Sequence, residues 1–382
     1  MTDVWRYYIP TKIVFGVGSF NKLAEIVGTF SPKKVVLVTG KQSMKKFGIA
    51  DKIIENLKGY NVAIYDNVGH NPTTRNVEDG VQFLRKEEGD LVVGLGGGSA
   101  IDFAKAIAVL LKNPGSVSEY LSTNREIMNM GIPVIAIPTT AGTGSEVTQY
   151  ASIIHENTKK KISLTHDYVR PNVAIVEPTL TATMPKFITA ITGLDALSQC
   201  IEAYWSRNHT SMSDIFALKG IKLISENLVN AYNFPDKIVF RSNMSLASLF
   251  SGIAISIART TIVHSVSYPL TVHFNVPHGL ACSLTLPSFI RYNSEAIEGR
   301  MLDMAKAINT ETVEDFIQKI EEIIVNVKLP RRLSEVGVKS EDIDLIVKEG
   351  FRSDRAGNNP REVTVEKLRE ILKSILYRKL SV

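Results

Sequence analysis

Apolar residues come in short unbroken runs over the first half of the chain and in a helical rhythm over the second. The runs at 34–39, 61–65, 90–94, 133–137 and 172–176 are short and rich in Val and Ile. A strand that is apolar at successive positions has both faces covered, so these runs predict a sheet buried between two layers. Between them, 49–57, 77–87 and 101–111 carry helical spacing. Strand and helix alternating in this way give a mostly parallel sheet with right-handed crossovers.

The pattern changes after Glu177-Pro178, where Thr179, Thr181, Thr183 and Pro185 supply helix-start chemistry. Beyond this stretch the strand signal almost vanishes, and 190–205, 211–230, 237–257, 313–327 and 365–376 read as helices. The expected organisation is an α/β Rossmann-like dinucleotide-binding domain over 1–180 and an all-helical domain over 181–382. A length of 382 residues suits two domains.

Composition narrows the partners. Hydrophobic residues make up 44% and charged residues 22%, enough apolar material for a sizeable core. The net charge of +5 is spread along the chain. Runs such as Lys159-Lys160-Lys161 are short and read as a solvated face, so no nucleic-acid partner is expected. The mild positive field suits an anionic cofactor or substrate. Two cysteines, Cys200 and Cys282, make no disulfide framework and suit a reducing cytosol. The start, Met1-Thr2-Asp3-Val4-Trp5, lacks the basic-then-apolar pattern of a signal peptide, and no apolar run reaches the roughly 18 residues of a membrane span. A cytoplasmic protein without a membrane partner is expected.

Two loops carry candidate binding chemistry. In Asp90-Leu-Val-Val-Gly-Leu-Gly-Gly-Gly-Ser99 a strand runs into a glycine turn, and the following residues open a helix. Glycines let backbone N–H groups approach a phosphate, and the helix start adds partial positive charge. Gly96, Gly97, Gly98 and Ser99 are therefore a candidate pyrophosphate cradle, although the Gly-x-Gly-x-x-Gly fingerprint is not met. The second loop, Pro138–Thr148, offers the hydroxyls of Thr139, Thr140, Thr143 and Ser145 directly after a strand. For metal chemistry, Asp195 and Gln199 lie four apart on one helix face. Of seven histidines, three (His264, His273 and His278) fall within fifteen residues. Histidine and carboxylate side chains converging from separate helices are the usual ingredients of a divalent metal site.

These pieces, with Pro10-Thr-Lys-Ile-Val-Phe-Gly16, Gly193-Leu-Asp-Ala-Leu197 and Pro277-His278-Gly279, resemble the iron-containing (group III) alcohol dehydrogenases along nearly the whole chain. The resemblance implies the dehydroquinate synthase-like/iron alcohol dehydrogenase fold, with an active site between its two domains. It implies an NAD(P)-dependent, metal-assisted oxidoreductase acting on a small alcohol or aldehyde, with a homodimer as the assembly it allows. Gly97, Gly98 and Ser99 would hold the pyrophosphate, and Thr139, Thr140 and Thr143 would line the adenosine side. Asp102 and Lys161 would lie near the nicotinamide ribose, with Asn71 also at the cofactor. One divalent ion, Fe2+ or Zn2+, would be held by Asp195, His264 and His278.

Two positions depart from the family pattern. Gln199 stands where a histidine ligand is usual; it is either a weak fourth ligand or a bystander, and the metal could change or be lost. Tyr268 stands where many members carry an active-site histidine, one helical turn from His264. After the first Rossmann strand, Gly40, Lys41 and Ser43 occupy the place where an acidic residue holds the ribose of NAD, which favours NADP(H) over NAD(H). Asp195-Ala-Leu-Ser-Gln199, Arg259-Thr-Thr and Ser267-Tyr-Pro-Leu-Thr271 resemble the hydroxyethylphosphonate dehydrogenases, which reduce phosphonoacetaldehyde. Arg259, read as lying on the helix of His264, is then the candidate for an anionic substrate group, with His273 as a further candidate. Two rivals remain at this point: a dehydroquinate-synthase-like lyase, and a non-catalytic dinucleotide-binding protein with a decayed metal site. The Asp195-Ala-Leu motif argues against the first, and the retained Asp195, His264 and His278 against the second.

Overall fold

The computed structural model describes residues 4–123 and 125–377, without the side chains of Ser43, Ser353 and Asp354. Its strands are β1 (Lys12–Phe15), β2 (Val35–Gly40), β3 (Val62–Val68), β4 (Leu91–Gly96), β5 (Val134–Pro138), β6 (Tyr150–His155), β7 (Lys160–Thr165) and β8 (Val173–Val176). Six form one parallel sheet in the order β1-β8-β5-β4-β2-β3. Successive residues of the central strands β2 and β4 enter different cores. Val36, Val38 and Val92 pack with Phe103 and Ile107, whereas Val35, Leu37 and Leu91 pack with Leu23 and Ile53. This is why the runs are apolar at every position.

Three strands went unanticipated. β1 is a four-residue edge strand with mostly exposed side chains. Such a strand has neither the length nor the burial to leave a pattern. β6 and β7 form a separate antiparallel hairpin, whose turn carries Lys159 at φ 53°.

From Lys186 onward the described residues form helices and no strand. The long helices Lys186–Trp205, Ser211–Asn233 and Ile238–Ala258 pack on one another, and their core continues through Val266, Phe289 and Ile320. One expectation is corrected here. The helix Ile238–Ala258 is long and apolar enough to cross a membrane. Most of it is buried in the helical core, which is the reason for its apolar character.

The chain parts into two compact units at Thr183/Met184 rather than by a single cut near 180. The sheet unit comprises Ile9–Thr140 and Ser145–Thr183. The helical unit comprises Met184–Val382 together with the N-terminal segment through Tyr8 and the four residues Ala141–Gly144.

Candidate active site

In the sheet unit, β4 ends at Gly96 and Gly97 caps the helix Gly98–Leu110. The glycines let this helix close on the strand. A Cβ on Gly94 would stand 2.8 Å from Ala104 Cβ, and one on Gly96 2.8 Å from Ala100 Cβ. Gly97, Gly98 and Ser99 stay half-buried, with the helix start open to a ligand. Ser99 Oγ accepts from the Asn71 backbone N–H at 3.2 Å, and Lys161 Nζ donates to Asn71 Oδ1 at 3.1 Å. Three residues expected at the cofactor are thus brought together from a helix start, a loop and strand β7. Thr139 is buried, its N–H bonded to Gly96 O, and Thr140 lies against Gly97.

Asp102 anchors a buried network. Its Oδ1 accepts from the Ser145 hydroxyl, its Oδ2 accepts from Ser152 N–H at 2.9 Å, and Lys105 Nζ lies 3.1 Å away. The fully buried Lys105 also donates to Ser145 Oγ at 2.7 Å. After β2, Gly40 is half-buried and Lys41 exposed, while the Ser43 side chain lies outside the described residues.

Thr143 falls in the helical unit, apart from Thr139 and Thr140. The loop glycines beside it have packing roles. Gly142 is pressed against Thr192, and Gly144, at φ 60°, against Gly252.

The helical unit holds a compact polar group. Ligand atoms of Asp195, His264, His278 and Cys282 all lie within 4.8 Å of one another. Asp195 comes from the helix Lys186–Trp205, His264 from Ile262–Phe274, and His278 and Cys282 from Ile262–Phe274's successor, His278–Ser294. Asp195 Oδ1 is 3.4 Å from His264 Nε2 and 3.7 Å from His278 Nε2. The far ring nitrogens are held in place. His264 Nδ1 pairs with Glu202 Oε2, and His278 Nδ1 lies 3.1 Å from Ser267 Oγ. Glu202 Oε1 also accepts from Thr261, Val263 and His264 N–H groups at the start of the His264 helix. An outer carboxylate that fixes ring orientation is the usual support of a metal-binding histidine.

The site is built for a cation. His264 Nε2 is buried and lies 3.4 Å from Asp195 Oδ1. Burial opposes a charged imidazole. Cys282, Glu202 and Asp195 outweigh it and hold the His264 pKa well above the ordinary value. A pocket that stabilises positive charge and offers one carboxylate, two imidazoles and a sulfur suits a divalent transition metal.

Several expected residues lie elsewhere. Gln199 is buried with its amide oxygen accepting from Ser251 Oγ at 2.9 Å, as a bystander would be. His273 sits nine residues beyond His264, about 13 Å along the helix, and pairs with Glu349 at 2.7 Å. Arg259 does not share a helix with His264. The preceding helix ends at Ala258, Arg259 caps it with φ 62°, and the residue is exposed. Tyr268 does belong to the group, its ring stacked on His278 with centroids 6.0 Å apart. The Arg352 and Arg355 guanidinium groups lie 5.4 and 5.2 Å from the Tyr268 ring centroid. Sequence reasoning missed Glu202, Cys282 and both arginines.

The family model described as iron-containing alcohol dehydrogenase matches residues 10–178, and that of the Fe-containing alcohol dehydrogenase family, C-terminal, matches 189–376. Alcohol dehydrogenase 4 of Saccharomyces cerevisiae is 34% identical, covering 98% of this chain and 99% of its own. The NADPH-dependent butanol dehydrogenase of Clostridium saccharobutylicum is 33% identical over 97% of this chain and 98% of its own. The structure of sulfoacetaldehyde reductase from Bifidobacterium kashiwanohense in complex with NAD+ superposes with a TM-score of 0.93 at 33% identity, covering 98% of this chain and 99% of that one. The chain belongs to the iron-containing alcohol dehydrogenase family and is an oxidoreductase of the alcohol dehydrogenase class.

Proposed function

We propose that this protein is a metal-assisted, NADP(H)-preferring reductase of small aldehydes carrying an anionic group, phosphonoacetaldehyde among them. Asp195, His264 and His278 would hold a divalent ion, which would supply Lewis acidity, and the bound cofactor would supply the hydride chemistry. Glu202 and Ser267 hold the two imidazoles so that both Nε2 atoms face Asp195. The half-open start of the helix Gly98–Leu110, with Ser99, Asn71 and Lys161, offers N–H groups and one cation to the cofactor phosphates and ribose. Gly40 and Lys41 present no carboxylate to a 2′-phosphate. Two free cysteines, both buried, support a reducing, cytoplasmic setting.

The observation that carries the substrate reading is the pair Arg352 and Arg355 on Tyr268, which itself stacks on the metal-facing His278. Guanidinium forks recognise phosphonate, sulfonate or carboxylate oxygens. A sulfoacetaldehyde reductase among the relatives points the same way. The role first expected of Arg259 passes to these two residues.

The test compares Arg352→Ala, Arg355→Ala and Arg259→Ala on phosphonoacetaldehyde and on butanal. Loss of one partner of a charge pair costs about 2 kcal/mol at the low end, or roughly thirtyfold in kcat/KM. That loss is expected for the anionic substrate alone, in the first two variants only. Equal losses on both substrates, or a wild-type preference for butanal, would make the enzyme a general alcohol dehydrogenase.

A further inference from the structure

Gln199 leaves the metal group one protein donor short of the four-donor set that the family pattern supplies. The structure offers a replacement from another helix. Cys282 lies four residues after His278 on the helix His278–Ser294, so both side chains leave the same face. Its sulfur lies within 4.8 Å of the ligand atoms of Asp195, His264 and His278. We propose that Cys282 is the fourth protein ligand, as a thiolate, and that the site selects Zn2+ over Fe2+. The inference rests on the metal-assisted reading given above.

Three observations carry it. The His264 Nε2 atom is buried and shares this small space with the sulfur and with Asp195 Oδ1, so the sulfur faces polar ligand atoms rather than apolar packing alone. The Gln199 oxygen is engaged by Ser251 at 2.9 Å, on a partner outside the group. Cys282 also differs from the other cysteine. Cys200 is equally buried, but its sulfur lies against the Gly220 backbone in the apolar core and belongs to no polar group.

Charge and softness agree. One carboxylate, one thiolate and two neutral imidazoles offset the charge of a divalent ion, with the buried Glu202 carboxylate on His264 as a further negative charge beside it. Binding displaces to solvent the Cys282 thiol proton and the proton that a charged His264 imidazole carries, and no electrons move. A soft sulfur donor shifts preference along the divalent series from Fe2+ towards Zn2+.

Cobalt distinguishes the outcomes, because a thiolate on Co2+ gives a near-ultraviolet charge-transfer band besides the visible d–d bands. The full-length protein loaded with Co2+ is expected to show both. Cys282→Ser is expected to keep the d–d bands and lose the charge-transfer band, while Gln199→Ala keeps both. The wild-type spectrum decides even if Cys282→Ser does not fold. Visible bands without charge transfer in the wild type overturn the thiolate ligand and leave the metal site standing. No cobalt bands at all overturn the metal-assisted reading as well. Competition of Zn2+ against Fe2+ completes the test: a wild type that retains Fe2+ against equimolar Zn2+ overturns the selectivity.

Discussion

At the scale of single residues, the candidate metal group depends on side chains outside the proposed ligand set. Glu202 fixes His264 and satisfies the first N–H groups of its helix with one carboxylate. Glu202→Gln is expected to lower metal affinity by roughly 10–100-fold, the usual effect of losing an outer carboxylate. Titration against a chelator checks this, and unchanged affinity would reduce Glu202 to a helix cap. Gly40→Asp is a second residue-level test. A Cβ there would meet only Val68 O at 3.7 Å, so the side chain fits, and its charge would repel a 2′-phosphate. NADPH binding is expected to weaken relative to NADH, as measured by fluorescence titration of both. Asp195, His264 and His278 were legible in the sequence through motifs. Glu202 and Cys282 had left a weaker trace. They stand seven residues from Asp195 and four from His278, spacings that share a helix face. The arginines left none, since Arg352 and Arg355 reach Tyr268 from a distant segment.

At the scale of elements, legibility followed burial. The central strands β2, β4, β5 and β8 announced themselves because both faces are covered, and the half-exposed edge strand β3 did so by its apolar residues alone, while β1 and the β6–β7 hairpin did not. The helices Ile262–Phe274 and His278–Ser294 contain Pro269 and Pro287, which blur the helical pattern around the metal group. In the second candidate loop, Gly142 and Gly144 are needed for packing. Gly144→Ala would combine a left-handed backbone with a collision against Gly252 Cα. Strain of about 1–3 kcal/mol and overpacking of about 1–3 kcal/mol add to a loss of roughly 2–6 kcal/mol. Gly299→Ala, in the helix Glu298–Ala307 with open space around it, is the control. It is expected to be neutral or to stabilise by up to about 1 kcal/mol. Urea denaturation of both variants checks the contrast.

At the scale of the whole molecule, stability should depend on pH through a buried carboxyl beside the Lys105 network. Burial lifts the Glu146 carboxyl from its ordinary 4.5 to about 7, against the pull of nearby Lys105. Between these values the folded chain holds a proton that the unfolded chain has lost. Stability therefore falls as pH rises from about 4.5 to about 7 and is level above. The total is on the order of 3 kcal/mol. Glu146→Gln is expected to remove that slope whatever it does to stability at a single pH. Melting temperatures of variant and parent across this range give the difference, and parallel curves would refute it. The two-unit organisation was legible from the change of rhythm near residue 180. The return of four loop residues to the helical unit was not, because it depends on close contacts that no local pattern encodes.

Those four residues also limit how the molecule can be cut and recombined. Ala141–Gly144 interrupts the sheet unit, yet it fills a groove lined by Thr192 and Gly252, and Ser251 Oγ lies 3.4 Å from its Gly142 carbonyl. The C-terminal half is therefore not an interchangeable cassette. A chain begun at Met184 lacks its own plug and is expected to melt without cooperativity. A chimera that exchanges 184–382 between relatives inherits the host's plug. Exchanging 141–144 along with it should restore a sharp transition, so a tetrapeptide embedded in the other half is inherited, in effect, with the helices it fits.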